Sequence, residues 1–189
     1  MLSVDIETMG LEHQHPMTMV CLYDPEQKIQ KAYPFVACLD STTFAVTNHD
    51  LFHTMCEDLV NMLDAADSIC CYNGIEFDLP FIAAKCLVSD QKLAQWILKT
   101  VDVFFTVKYT IHRFYKLDRL LACNKFACKS GSGKQAIELA KSGDIQSLKS
   151  YCMMDAKLTW DLTQKEQVFL PHLVQGKPLV WRKNCFFVG

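Results

Sequence analysis

Apolar and polar residues alternate from the first positions: Leu2, Val4 and Ile6 are apolar, while Ser3, Asp5 and Glu7 hold the positions between and after them. In an extended strand this period puts the two sets on opposite faces. Short apolar or alternating runs at about 17–23, 29–37 and 68–72 predict three more strands. The turn signals LEHQHP and DPEQ separate the first three, which predicts an antiparallel meander. Helical spacing begins at 50–65, where Phe52, Met55, Cys56, Leu59, Val60 and Leu63 share a face and Asn48 or Asp50 is available as the cap. A second helix is expected from Pro80 to about Cys86, because a first turn tolerates proline. A short strand or extended segment at 100–104 follows, then two or three helical pieces between 105 and 142. The longest helix is expected from Asp144 to about Phe169, ended by Pro171. Strands first, then alternating helix and strand, then helices, predict an α/β domain with a mixed central sheet. The tail KPLVWRKNCFFVG adds a strand or wraps the surface.

Composition narrows the class. With 189 residues, 50% hydrophobic and 21% charged, the chain suits one globular domain with a full core and not a disordered segment. No apolar run approaches the roughly 20 residues that span a bilayer, and MLSVDIETMG lacks a basic leader. The ten cysteines sit in apolar segments such as SICCYNG, AAKCLV and YCMMD, the usage of reduced core thiols. An intracellular, reducing compartment, cytoplasm or nucleus, is the expectation. Neither the Cys70-Cys71 pair, nor Cys123 with Cys128, nor His13 with His15 completes a zinc-ligand spacing, so structural zinc is not expected. The net charge of -2 conceals an asymmetry: residues 1–98 carry -10, residues 99–149 carry +6, and the remainder +2. An acidic part able to hold cations and a basic part able to face an anion form one picture, and an ordinary solvated surface forms another.

The acids carry the chemistry. Asp5 and Glu7 share one strand face, an arrangement that costs free energy unless water or a cation neutralises it. A solvated edge strand meets that need as well as a metal does. On the last long helix the apolar stripe through Ile145, Leu148, Cys152, Leu158 and Leu162 also contains Tyr151 and Asp155, four residues apart. A carboxylate on the sheet-facing side needs pairing, a metal or protonation. Asp78 stands where the strand ending in Tyr72-Asn73-Gly74 turns into a helix. Helix capping accounts for an acid there, and ligands of α/β sheets also gather at such strand ends. Hard divalent cations take oxygen ligands, and two of them about 4 Å apart serve phosphodiester displacement.

DIET, YNGIEFD and YCMMD resemble the three motifs of the DEDDy 3'-5' exonucleases of the ribonuclease H-like superfamily, of the form D-x-E, N-x(2-3)-F/Y-D and Y-x(3)-D. YNGIEFDLPFI is similar to the proofreading exonuclease domain of B-family DNA polymerases in particular. The stretch HRFYKLDRLLACNKFACKSGSGKQAIELAKSGDIQSLKSYCMMDAKLTWDL resembles stand-alone predicted exonucleases. The resemblance runs from Leu2 to about Leu170, which gives an exonuclease domain over 1–170 and an extension over 171–189. It implies a ribonuclease H-like fold, three antiparallel strands followed by parallel ones and flanked by helices, with the first strand central. It also implies two divalent cations, Mg²⁺ with Mn²⁺ as substitute: Asp5, Glu7 and Asp155 hold one, Asp5 bridges to the second, and Asp78 contacts the second ion's water shell. Tyr151 would orient the attacking water. Thr8 and Met9 would lie beside the terminal nucleotide, and Asn73 and Phe77 would position the unpaired 3' end.

The implied substrate is single-stranded or frayed nucleic acid with a free 3' end, DNA favoured over RNA by the polymerase-like second motif, and the products are nucleoside 5'-monophosphates. The chain is too short to hold a polymerase, so trimming, repair or proofreading in trans beside a replication or repair polymerase is expected, with a monomer as the default and no membrane. The alternatives are an exoribonuclease and a non-catalytic ribonuclease H-like domain that binds nucleic acid or a partner. SGSGK is not a phosphate loop, since Cys128 and Gln135 stand where glycine and Ser/Thr are required. Lys125, Lys129 and Lys134 either touch substrate phosphates or are plain solvated lysines. Trp96, Trp160 and Trp181 are candidates for base stacking, with core packing the stronger reading for Trp160.

Overall fold

The computed structural model describes residues 1–126, 132–174 and 177–182, with backbone alone at Thr110, 172–174 and 177–182. Five strands form a mixed sheet: β1 (Leu2–Thr8), β2 (Met17–Asp24), β3 (Ile29–Tyr33), β4 (Ile69–Cys71) and β5 (Thr100–Asp102). Their order is β3-β2-β1-β4-β5. The first strand is therefore central, antiparallel to β2 and parallel to β4, with β5 parallel to β4 beyond it. This is the mixed α/β sheet expected from the pattern of apolar residues.

The alternation along β1 divides its neighbours. Leu2, Val4 and Ile6 pack with Leu59 and Leu63 of α1 (His49–Ala65), Leu79 and Ile82 of α2 (Asp78–Lys85), and Trp96 of α3 (Asp90–Leu98). On the opposite face Met19, Cys21 and Tyr23 of β2 meet Ala136 and Ala140 of a helix at Gly133–Ser142 and Leu148, Tyr151, Cys152 and Ala156 of a helix at Ile145–Thr163. Between α3 and these lie α4 (Val103–Ile111) and α5 (Leu117–Cys123), so the last two helices are α6 and α7. Helix α7 is tied to β1 directly: Ser3 Oγ donates to the Ala156 carbonyl at 2.7 Å, and the Cys152 thiol donates to the Asp5 carbonyl at 3.3 Å. A third apolar cluster joins Val103, Val107, Leu120, Leu121 and Leu162 to Val168 and Leu170. No helix among the described residues is long and apolar enough to cross a membrane.

Local chemistry adjusts several expected boundaries. The third strand stops at Tyr33 because Pro34 has no N-H to continue the ladder, and a 3₁₀ turn at Phe35–Cys38 follows. Asn48, rather than Asp50, caps α1, its side chain accepting from Leu51 N at 3.1 Å. Helix α2 begins at Asp78, two residues earlier than expected, with Pro80 inside its first turn. Helix α3 was not foreseen; Ser89 caps it by accepting from Lys92 N, and it buries Trp96. The strand expected at 100–104 ends at Asp102, whose carboxylate accepts from Phe105 N at 3.0 Å and so starts α4. The largest correction is α7, which ends at Thr163 instead of continuing to Phe169. Residues Gln167–Val174 form β6, paired with β7 (Lys177–Arg182), so the tail does add a strand. Val168 and Leu170 are buried and Phe169 between them is exposed, a period of two that overrides the helical reading. Asn124 completes the start of β6 by donating to Phe169 O and accepting from Phe169 N. The expected boundary between residues 170 and 171 falls inside β6.

Candidate active site

Asp5 and Glu7 project from the middle and end of β1 on the face that receives α7, and Glu7 is only 9% exposed. Tyr151 and Asp155 lie on the buried stripe of α7, where Asp155 is 2% exposed. The spacing of four brings both to one side of the helix, as the sequence predicts. Asp78 approaches from the other direction, at the start of α2. It is buried, and its Oδ1 accepts from Ile6 N, between the two β1 acids, at 3.1 Å. Three elements thus converge on the carboxyl-terminal half of the central strand.

Burial and like charge govern the electrostatics. Loss of water, then the negative charge of Asp102 and more weakly of Asp155, push the Asp78 carboxyl up to about 8. The Cys152 thiol is also raised, by burial first and then by Cys21, Asp5 and Glu7, so it stays protonated. Ligand atoms of Asp5, Glu7 and Cys152 lie within 4.8 Å of one another, a possible metal-binding group. Of these the carboxylates suit a hard cation, whereas a protonated thiol already donating to Asp5 O does not. The donor chemistry therefore fits a divalent cation held by oxygen.

The turn carrying the second motif is held by a residue that sequence reasoning misses. Asp102 is buried at the end of β5 and accepts from Asn73 N at 3.0 Å, Ile75 N at 2.9 Å and Phe105 N at 3.0 Å. Burial raises its carboxyl above the usual range, against the pull of those donors. An acid at the end of the short expected strand that begins at Thr100 was the available signal. Asn73 sits at φ 69°, and its Oδ1 is buried with no hydrogen-bond partner among the described residues. Gly74 is required by close approach, since a Cβ there would lie 2.4 Å from Cys71 Sγ.

The remaining candidates divide. Thr8 follows Glu7, its hydroxyl donating to Gly10 O at 2.6 Å, and Met9 packs on the α6–α7 cluster. The Phe77 ring packs on Phe81 at 5.6 Å, against the core. Lys125 and Lys134 are exposed, and Lys129 lies outside the described residues. Gln135, next to Lys134, lines a cavity of about 350 Å³ together with Leu139, Tyr151 and Met154. Trp96 is not available to bases, being 1% exposed with its indole N-H donating to Asp64. Trp160 packs edge-on against Tyr23 and donates to Met1 O, while the side chain of Trp181 is outside the described set.

A mixed sheet with acids at the carboxyl ends of its inner strands, faced by a helix bearing a further acid, defines a ribonuclease H-like α/β domain. The family model described as RNase_H superfamily matches residues 2–165, and the chain belongs to that superfamily. The membership supports a nuclease-type activity on nucleic acid. Among solved structures the chain is similar to the family B DNA polymerase from the hyperthermophilic archaeon Pyrobaculum calidifontis, with a TM-score of 0.62 and 14% identity over 86% of this chain. At that identity the likeness is one of fold, and the chain spans 24% of the polymerase. No curated protein matches the chain.

Proposed function

We propose that the protein is a 3'-5' exonuclease of the DEDDy type that removes nucleoside 5'-monophosphates from the 3' end of single-stranded or frayed DNA. The observation that carries the proposal is the convergence of Asp5, Glu7, Asp78 and Asp155 with Tyr151 around the central strand. Asp5, Glu7 and Asp155 would hold one divalent cation, Asp5 would bridge to a second, and Asp78 would act through the second ion's water shell. Mg²⁺, or Mn²⁺ in its place, supplies a lowered water pKa and charge neutralisation at the leaving oxygen when bound. Tyr151 orients the attacking water through its hydroxyl. Thr8 and Met9 flank the terminal nucleotide, and Asn73 and Phe77 position the unpaired 3' end. Lys125, Lys129 and Lys134 are proposed phosphate contacts.

Incubation of 5'-labelled and 3'-labelled oligonucleotides with Mg²⁺ or Mn²⁺ tests the reading. The 3' label is expected to appear at once as mononucleotide, the 5' label to shorten stepwise, and Asp5→Ala to abolish both. Metal-independent release, or activity that survives Asp5→Ala, overturns the assignment. Matched DNA and RNA strands in the same assay check the sugar preference.

A further inference from the structure

Helix α4 and the turn after it form an exposed surface of a composition unusual for a solvated face. Phe114 is 70% and Tyr109 54% exposed. The rings form a connected set: Phe105 lies 4.4 Å from Tyr109, and Phe104 lies 6.1 Å from Phe114 and 5.7 Å from Tyr72. Lys108 joins the two halves, 5.8 Å above Phe104 and 5.2 Å above Tyr109. Across residues 103–119 four Lys and Arg face a single acid, Asp118. Lys108 is paired with Glu76, but none of the described carboxylates pairs with Arg113, Lys116 or Arg119, all exposed.

This surface adjoins the candidate active site through covalent and hydrogen-bonded links. Glu76, which holds Lys108 at 2.7 Å and accepts from the Tyr109 hydroxyl at 3.0 Å, belongs to the turn between Asn73 and Asp78. Asp102 binds the backbone of that turn and of Phe105 with one carboxylate. Since β4 and β5 are parallel to β1, α4 leaves the sheet at the same end as the acids. Exposed rings interleaved with cations match the chemistry of a single polynucleotide strand, whose bases stack on aromatic faces and whose phosphates seek positive charge.

We infer that Tyr109, Phe114 and Arg113 form a docking track for single-stranded DNA, receiving nucleotides several positions upstream of the 3' end that the acids would cleave. The inference rests on the nuclease reading above and adds to it a substrate-length dependence. A strand long enough to reach the track gains stacking and charge contacts; a di- or trinucleotide held only at the acids does not.

The test separates this inference from the nuclease reading by measuring binding in EDTA. Fluorescence anisotropy of a labelled oligo(dT) about 12 nucleotides long is compared for wild type, Tyr109→Ala, Phe114→Ala and Arg113→Ala. Each aromatic replacement is expected to weaken binding about tenfold, within the range for lost base stacking. Arg113→Ala is expected to flatten the logarithmic salt slope by about 0.7 unit. Under Mg²⁺, KM for the 12-mer should rise in all three while hydrolysis of a trinucleotide is unchanged. The track is overturned if the variants bind the 12-mer as wild type does, if the trinucleotide suffers equally, or if matched oligo(U) binds more tightly than oligo(dT). Wild type that binds in EDTA with these losses but never hydrolyses would sink the nuclease reading and leave the track standing.

Discussion

Asp102 accepts three backbone N-H groups while nearly excluded from water, so its removal leaves donors on two different elements without an acceptor. Asp102→Ala is expected to cost about 2–4 kcal/mol in urea unfolding, with Asp102→Asn losing less because its amide oxygen still accepts. Equal losses for the two variants would count against the acceptor role. Tyr151 is a test of a different kind. If its hydroxyl orients water, Tyr151→Phe slows turnover by about a hundredfold, the low end for positioned proton-transfer groups, and leaves Mn²⁺ affinity by calorimetry nearly intact. A collapse of metal affinity would show that the tyrosine supports the ligands instead. Both residues stand on elements expected from the sequence, α7 by its helical spacing and β5 as a short extended segment, yet only Tyr151 belongs to a recognisable motif. Asp102 was missed because an acid at the end of a three-residue strand reads as ordinary punctuation until its three donors are seen.

At the scale of elements, the turn between β4 and α2 is the most constrained piece of the site. Gly74→Ala would drive a methyl group into Cys71, a buried residue of β4, and displace the Asn73–Asp78 backbone. A loss of about 1–3 kcal/mol by thermal unfolding is expected, as for other overpacked cores, with activity falling further than stability alone explains. Wild-type behaviour would mean the turn has room to relax. Helix α7 illustrates where sequence periodicity reaches and where it stops. Leu148, Tyr151, Cys152, Asp155, Leu158 and Leu162 announce its buried stripe correctly. Its end at Thr163 is decided by Val168 and Leu170, which fill a cluster contributed by α4 and α5. A helix through those positions would not present both to that cluster.

For the whole molecule, the concentration of buried acids sets a pH dependence. The folded Asp78 carboxyl stands at about 8 against an ordinary 3.8. Its protonated form favours the fold; that contribution is complete below about pH 4 and is lost as pH rises through about 8. A cation bound among the acids opposes the loss by neutralising the charge. Mg²⁺ is therefore expected to raise Tm more at pH 8 than at pH 5, and removal by EDTA to reverse it. A shift equal at the two pH values, or no shift, would argue against a cation at these carboxylates. Of the acids in the amino-terminal half, Glu7 and Asp78 are buried at the site, and part of the basic segment is the exposed cation-and-ring surface on α4.

The alternation that sends Leu2, Val4 and Ile6 one way and Asp5 and Glu7 the other, and the spacing that turns Tyr151 and Asp155 to one face of a helix, are legible in the order of residues. Those are properties of local backbone geometry, fixed by periods of two and 3.6 whatever the surroundings. The central place of β1 was expected from the motifs' resemblance and agrees with the strand order, whereas only the folded chain shows that Asp78 reaches Ile6 N, that Asp102 gathers the second-motif turn, and that 167–174 is a strand. These depend on which distant segments meet, and short-range propensity yields to the burial and hydrogen bonding those meetings provide.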